Sequence, residues 1–207
     1  MALLAGQRII VVDVETTGFN AANDSIVDIA CVTIDDGVIT DAWSSLIQAG
    51  RPVPTEATRV HGITDAMLAS APLPSAVALP FRERCGDTML AIHNASFDLP
   101  FLDALLRRHG ADPLFNPIID TLGLARGLFG QGGNGLGELT RRLGITLSNA
   151  HRAEGDARAT AELLLLLAPK WEAEKGAQSL AELAAASQDA IRLTSKRGSR
   201  TAAPAGV

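Results

Sequence analysis

Apolar positions along this chain fall into two rhythms, short β-branched runs early and helical spacing later. Residues 8–14 (RIIVVDV) are apolar almost without interruption, the pattern of a strand covered on both faces. Residues 25–34 and 38–47 are two further strand-like runs joined by Asp35-Asp36-Gly37, and D-G between apolar runs signals a hairpin. After Pro52 and Pro54, residues 55–60 and 64–69 each support a short helix, with Thr55 and Thr64 as N-caps. A helical stretch over 75–84 leads into a buried-strand pattern at 88–92. Asn94-Ala95-Ser96 then opens a helix whose apolar positions are Phe97, Phe101, Leu102, Leu105 and Leu106, closed by Gly110.

Residues 117–120 predict a short strand, and 122–129 and 136–143 predict helices separated by a mobile glycine-rich link at 130–135. A long helix is expected over 154–167, its block from Leu163 to Leu167 apolar all round and therefore deeply buried, with Pro169 ending or kinking it. One more amphipathic helix is predicted over 172–193. Strands first, then strands mixed with helices, indicate an α/β domain with a mixed sheet. The expected organisation is a main domain over residues 1–175, a C-terminal helix over 176–194 packed on it or extending it, and a disordered basic tail over 195–207.

Composition narrows the class. The chain has 207 residues, 47% of them apolar, enough for one substantial core. Mean hydropathy is +0.18, yet the longest apolar run, Leu163 to Ala168, is far below the roughly 18 residues a spanning helix needs. No membrane association and no signal peptide are expected, since Arg8 follows the apolar start rather than preceding it, and a cytoplasmic location is expected. Cys31 and Cys85 form no C-x-x-C pair and read as buried free thiols. A formal net charge of −5 excludes binding of nucleic acid by bulk charge, so any such contact is local. Arg192, Lys196, Arg197 and Arg200 concentrate positive charge in the tail.

Three segments carry candidate chemistry. Asp13 and Glu15 end the first strand and, two residues apart, share one face. Two carboxylates so placed repel unless cations neutralise them, and such oxygen clusters suit Mg²⁺ or Mn²⁺; a pair of solvated acids at a strand end is the plainer alternative. His93-Asn94-Ala95-Ser96-Phe97-Asp98 lies where a buried strand runs into a helix. Asp98 falls in the first helical turn, where the dipole favours an acid, with Asn94 or Ser96 as cap. His151-Arg152-Ala153-Glu154-Gly155-Asp156 leads into the long helix, with His151 in a loop after Ser148-Asn149-Ala150. A loop histidine five residues from a carboxylate serves as a base beside a metal-bound water, or is simply exposed. The first two segments lie at C-terminal strand ends, where ligand sites of open α/β sheets collect.

Together, DVETTG at 13–18, HNASFD at 93–98 and HRAEGD at 151–156 resemble the three ordered motifs of the DnaQ-like, or DEDDh, 3′-to-5′ exonucleases, among them the proofreading epsilon subunits of DNA polymerase III. Segments VHGITD at 60–65 and NGLGELTRRLGI at 134–145 are similar to the family too. The resemblance implies a ribonuclease H-like mixed sheet of about five strands flanked by helices. It implies that Asp13, Glu15, Asp98 and Asp156 hold two divalent ions, Mg²⁺ or Mn²⁺, and that His151 is the general base, with all five residues catalytic. The sister group with tyrosine as base is excluded because the chain has no tyrosine. Thr16, His61, Ile63 and Asn94 are implied to lie near the terminal nucleotide. Glu154 is assigned to the helix dipole rather than to the metal site.

The expected function is release of nucleoside 5′-monophosphates from single-stranded or frayed DNA 3′ ends, in proofreading or repair. An RNA 3′-end trimmer like RNase T or oligoribonuclease is the alternative. A haloacid dehalogenase-like phosphatase, whose D-x-D-x-[TV] motif Asp13-Val14-Glu15-Thr16-Thr17 nearly matches, leaves the later segments unexplained. An inactive binding subunit does not explain five intact catalytic-type residues. A DNA polymerase subunit is a further expected partner, although Gln178 to Leu183 is only a degenerate clamp-binding motif and reads as the apolar face of a helix.

Overall fold

The computed structural model describes residues 2–147 and 149–198. Among them, five strands form one mixed sheet: β1 (Arg8–Thr16), β2 (Ile26–Asp35), β3 (Val38–Leu46), β4 (Met89–Ile92) and β5 (Ile118–Asp120), in the order β3-β2-β1-β4-β5. The three leading strands form an antiparallel meander, whereas β4 and β5 run parallel to β1. The β2–β3 turn has positive φ at both Asp36 (52°) and Gly37 (76°), the left-handed pair that matches the twist of a two-residue hairpin.

Eight α-helices complete the described chain: α1 (Thr55–His61), α2 (Asp65–Leu68), α3 (Pro74–Cys85), α4 (Ala95–Arg108), α5 (Thr121–Phe129), α6 (Leu136–Leu143), α7 (Ala153–Lys175) and α8 (Leu180–Gly198). Alternation along β1 divides the core. Ile9 and Val11 join the cluster that contains Ala157, Leu163, Leu164 and Leu167 of α7, whereas Ile10, Val12 and Val14 join the cluster with Phe81 of α3 and Leu102 of α4. This is the α/β architecture expected, with helices on both faces of the sheet.

Several local expectations are corrected. Pro54, not Thr55, takes the N-cap position of α1, whereas the Thr64 hydroxyl does accept from Met67 N at the start of α2. Pro169 does not end α7, which continues to Lys175 because the turns beyond it are anchored: Trp171 is buried and its Nε1 donates to the Leu124 carbonyl at 3.0 Å. The single helix expected over 172–193 is instead split at Gly176, whose φ of 72° closes α7 with a left-handed cap. Helix α8 then runs to Gly198, past the expected boundary at 194, so residues 195–198 are helical; Ser148 and residues 199–207, including Arg200, lie outside the described residues. Cys31 and Cys85 are free and buried as expected, and they lie side by side, Cys85 pushing the Cys31 thiol pKa up.

Candidate active site

The face of β1 that begins with Ile9 and Val11 continues as Asp13 and Glu15, so the same alternation that buries two aliphatics under α7 delivers two carboxylates to the end of that helix. A register shift between Glu15 and Thr16 marks a bulge where β1 leaves its pairing with β2, which turns the chain at the site. Because β1, β4 and β5 are parallel, their C-terminal ends lie on one side of the sheet, and α4 and α5 begin there.

Asp98, 4% exposed, sits in the first turn of α4. The expected cap is corrected here: Asn94 holds the N-cap position at φ 68°, but its side chain caps nothing and instead accepts from the Ser96 hydroxyl at 3.1 Å. The cap is Asp120, from the end of β5. Its carboxylate accepts from Asn94 N at 3.1 Å and Ala95 N at 2.9 Å, and also from Leu122 N at 3.0 Å and Gly123 N at 3.4 Å at the start of α5. Sequence reading missed Asp120; an Asp directly before a helical run was the available signal.

Asp156 enters from the first turn of α7 and accepts from the backbone N–H of His151 at 3.1 Å. Oxygen or nitrogen atoms of Glu15, His151 and Asp156 lie within 4.8 Å of one another, a grouping that could hold a metal ion. Glu154 lies apart, exposed, accepting from the Ser44 hydroxyl of β3 at 2.7 Å. Asp28 of β2, unremarked in the sequence, faces Glu15 across the β1–β2 pair.

Burial raises the pKa of every carboxylate in this group. Asp13 is pushed well up by desolvation and then by Asp98, Asp156, Glu15 and Asp28, which shows that the strand pair, α4 and α7 converge electrostatically. Desolvation takes Glu15 to about 7, with Asp156 and Asp28 adding to it and Arg152 opposing. Asp98 reaches about 8, chiefly by desolvation, with the backbone of Val14 pulling it back. Asp156 is raised by desolvation, against which His151 acts. Four acids crowded at this energetic cost match a site built to be neutralised by divalent cations.

A pocket of about 360 Å³ opens beside Glu15, lined by Thr16, Thr17, Gly18, Phe19, Val60, His61 and Phe97 among others. Phe19 is 92% exposed and meets Phe97 edge-on at 6.2 Å between centroids. The Thr16 hydroxyl donates to the Gly18 carbonyl at 2.6 Å, and an added Cβ on Gly18 would lie 2.5 Å from the Asp24 carboxylate, which explains the glycine in DVETTG. Ile63 N donates to His61 Nδ1 at 3.0 Å, so the ring proton sits on Nε2, which is buried on the side of the Thr16 backbone. Ile63 itself is not on the pocket wall. Its side chain is enclosed with Val27, Leu68 and Ala71, and it reaches the site only through its amide. Asn94, by contrast exposed, also lies outside the pocket lining. The two phenylalanines carried no signal beyond apolar spacing, because Phe97 reads as core.

Comparison with known proteins agrees with this geometry. The family profile RNase_T, described as Exonuclease, matches residues 10–164. The chain belongs to this exonuclease family. The exonuclease domain is 37% identical over 175 residues to the PolC-type DNA polymerase III of Streptococcus mutans, with the same identity and span to that of Streptococcus pyogenes serotype M1. It spans 84% of this chain but only 12% of the length of those polymerases. Among solved structures it resembles exonuclease X in complex with 5′ overhanging duplex DNA, at TM-score 0.68 and 27% identity over 86% of this chain and 99% of that one. It shares its fold with Escherichia coli exonuclease I bound to a dT13 oligonucleotide, at TM-score 0.73 and 20% identity over 81% of this chain and 42% of that one. The DnaQ-like resemblance and the ribonuclease H-like fold are thereby established. No helix among the described residues is long and apolar enough to cross a membrane.

Proposed function

We propose that this exonuclease removes nucleoside 5′-monophosphates from DNA 3′ ends with the help of two divalent ions. The observation that carries the reading is the convergence of Asp13, Glu15, Asp98 and Asp156 with His151 at the C-terminal end of the central strand β1, where burial raises the pKa of each acid. Those four carboxylates are the residues that would hold Mg²⁺ or Mn²⁺. When bound, the ions supply charge neutralisation at the attacking water and the leaving 3′ oxygen.

The chain's own residues do the rest. His151, exposed and beside Glu15 and Asp156, accepts the proton of the attacking water. The apolar pocket takes the terminal nucleotide: Phe19 and Phe97 stack on the base, and His61 forms part of the wall. Ile63 orients that imidazole rather than touching substrate, and Thr16 shapes the turn that frames the pocket. A DNA substrate is supported by the DNA bound in the two solved relatives, and action beside a polymerase by the PolC relatives. The clamp-binding alternative within residues 178–183 has no support, since Leu180 and Leu183 are buried in the core. We assign residues 1–175 to the nuclease unit, with α8 packed on it as an extension.

The test is digestion of a 5′-labelled single-stranded oligonucleotide with Mg²⁺. A descending ladder is expected, lost with chelator and with Asp13→Ala or His151→Ala, and stronger on DNA than on matched RNA. Chelator-resistant digestion overturns the two-ion reading, and a preference for RNA assigns the enzyme to 3′-end trimming of RNA.

A further inference from the structure

His151 carries the base, and it is its backbone N–H, not its ring, that bonds Asp156, at 3.1 Å. Its backbone is left-handed at φ 61°, and so is that of Asn149 at 55°. Two non-glycine residues in that region within three positions cost about 1–2 kcal/mol each, so the loop keeps this shape only if its surroundings impose it.

The geometry points to Asp28 and Arg152 as the clasp that imposes it, positioning His151 over the carboxylates; this rests on the exonuclease reading above. Asp28, 2% exposed on β2, accepts from Arg152 Nε at 2.8 Å and from the backbone N–H of Ala153 at 3.4 Å. Arg152 directly follows the base, and Ala153 is the first residue of α7. Asp28 in turn stands opposite Glu15 in the β1–β2 register. One carboxylate therefore links the residue after the base to the strand partner of an acid in the site. Within the loop, Arg152 N donates to the Asn149 carbonyl at 3.1 Å and Asp156 N to the Arg152 carbonyl at 3.0 Å, so fixing Arg152 fixes both flanks of His151.

Stability alone does not account for the pair. An ion pair whose acid is buried is commonly no more stabilising than apolar residues of the same volume, and Asp28 places a further negative charge opposite Glu15. What it supplies is a fixed geometry, and a shift of about 1 Å at a catalytic group can cost about a hundredfold in rate. The competing role is direct contact with DNA. Arg152's side chain is 39% exposed beside a cleft of about 240 Å³ that also holds Asn149 and Arg158, so a phosphate contact is the alternative to exclude.

The experiment compares Arg152→Gln, Arg152→Lys, Asp28→Asn and Asp13→Ala with wild type in the full chain. It measures kcat and KM on single-stranded DNA with Mg²⁺, the salt dependence of binding, and amide hydrogen exchange of the metal-free protein. For a clasp, Arg152→Gln and Asp28→Asn lower kcat by about 10- to 100-fold with KM changed less than about threefold. Arg152→Gln combined with Asp28→Asn is no worse than the poorer of the two single variants, and Arg152→Lys regains most of the rate. Exchange at Ala153 speeds about tenfold or more in both disrupted variants while the β1 and β4 amides stay protected. A rise in KM with kcat intact and a salt slope flattened by about one makes Arg152 a phosphate contact and overturns the clasp. Wild-type kinetics in both variants also overturn it. Should Asp28→Asn unfold, the half-exposed Arg152→Gln decides alone. Asp13→Ala separates the levels: if it retains activity, the site assignment itself fails, whereas if it is dead while the other variants are normal, only the clasp fails.

Discussion

Asp120 accepts a hydrogen bond from the backbone amide of Ala95 at 2.9 Å across 25 positions of sequence, and so ties the end of β5 to the helix that carries Asp98. The same carboxylate caps α5, and the Asp120 amide donates to the Ser187 hydroxyl of α8 at 3.0 Å. Replacing Asp120 by Ala strips the acceptor from two helix starts, each cap being worth about 1–2 kcal/mol. Stability is expected to fall by about 2–4 kcal/mol in urea denaturation, with kcat falling as Asp98 shifts. Asp120→Asn, which keeps one acceptor oxygen, is expected to lose less than half as much.

Gly123 is needed for the packing of α5 on α8. An added Cβ there would lie 2.0 Å from the Ser187 carbonyl oxygen, and that atom is backbone and cannot step aside. Gly123→Ala is expected to cost about 1–3 kcal/mol of stability even though alanine favours helices. An unchanged urea midpoint would show that α8 does not sit against α5.

Phe19 offers a cleaner separation of binding from folding. Being 92% exposed, it contributes little to the core, so Phe19→Ala should leave thermal stability within about 0.5 kcal/mol of wild type. Loss of a base-stacking surface worth about 1–3 kcal/mol should raise KM for single-stranded DNA by about 5- to 100-fold. A pure fall in kcat would remove Phe19 from the substrate pocket.

The crowded acids make metal-free stability depend on pH. Glu15 and Asp98 have folded pKa values of about 7 and about 8, above the roughly 4 of unfolded carboxylates. The folded state therefore binds more protons, and their contribution is fully present below pH 4 and is lost as pH rises through 7 to 8. Buried His61 and half-buried His93 have lowered pKa values and act in the opposite direction at acid pH, so the comparison is made with Asp98→Asn rather than along one curve. In chelator at pH 8.5 this variant should melt a few degrees above wild type, on the order of 2–4 °C per kcal/mol gained, with the gap closing by pH 5. With Mg²⁺ or Mn²⁺ the order should reverse, because wild type alone keeps its full ligand set. Equal melting at both pH values in chelator would show that Asp98 is not under strain.

Hydrophobic rhythm alone settled most of the elements, since burial on two faces, alternation and the Asp36-Gly37 turn are local properties that a chain states directly. Candidate ligands were named only through the resemblance of the three ordered motifs, since an acid at a strand end or helix start and a histidine in a loop each have plainer uses when taken singly. What the sequence could not state was which parity of β1 faces α7. That choice brings Asp13 and Glu15 to Asp156, and it is made by packing across the sheet.

Only the tertiary structure moved Ile63 into the core and made Phe97 a pocket wall, because apolar spacing does not distinguish the two. It alone carried α7 past Pro169 through the anchorage of Trp171. It also brought Asp120 to Ala95 and Asp28 to Arg152, contacts between residues far apart in sequence. A carboxylate's partners are set by where the sheet and helices converge, and that convergence depends on the packing of the whole domain rather than on any segment read alone.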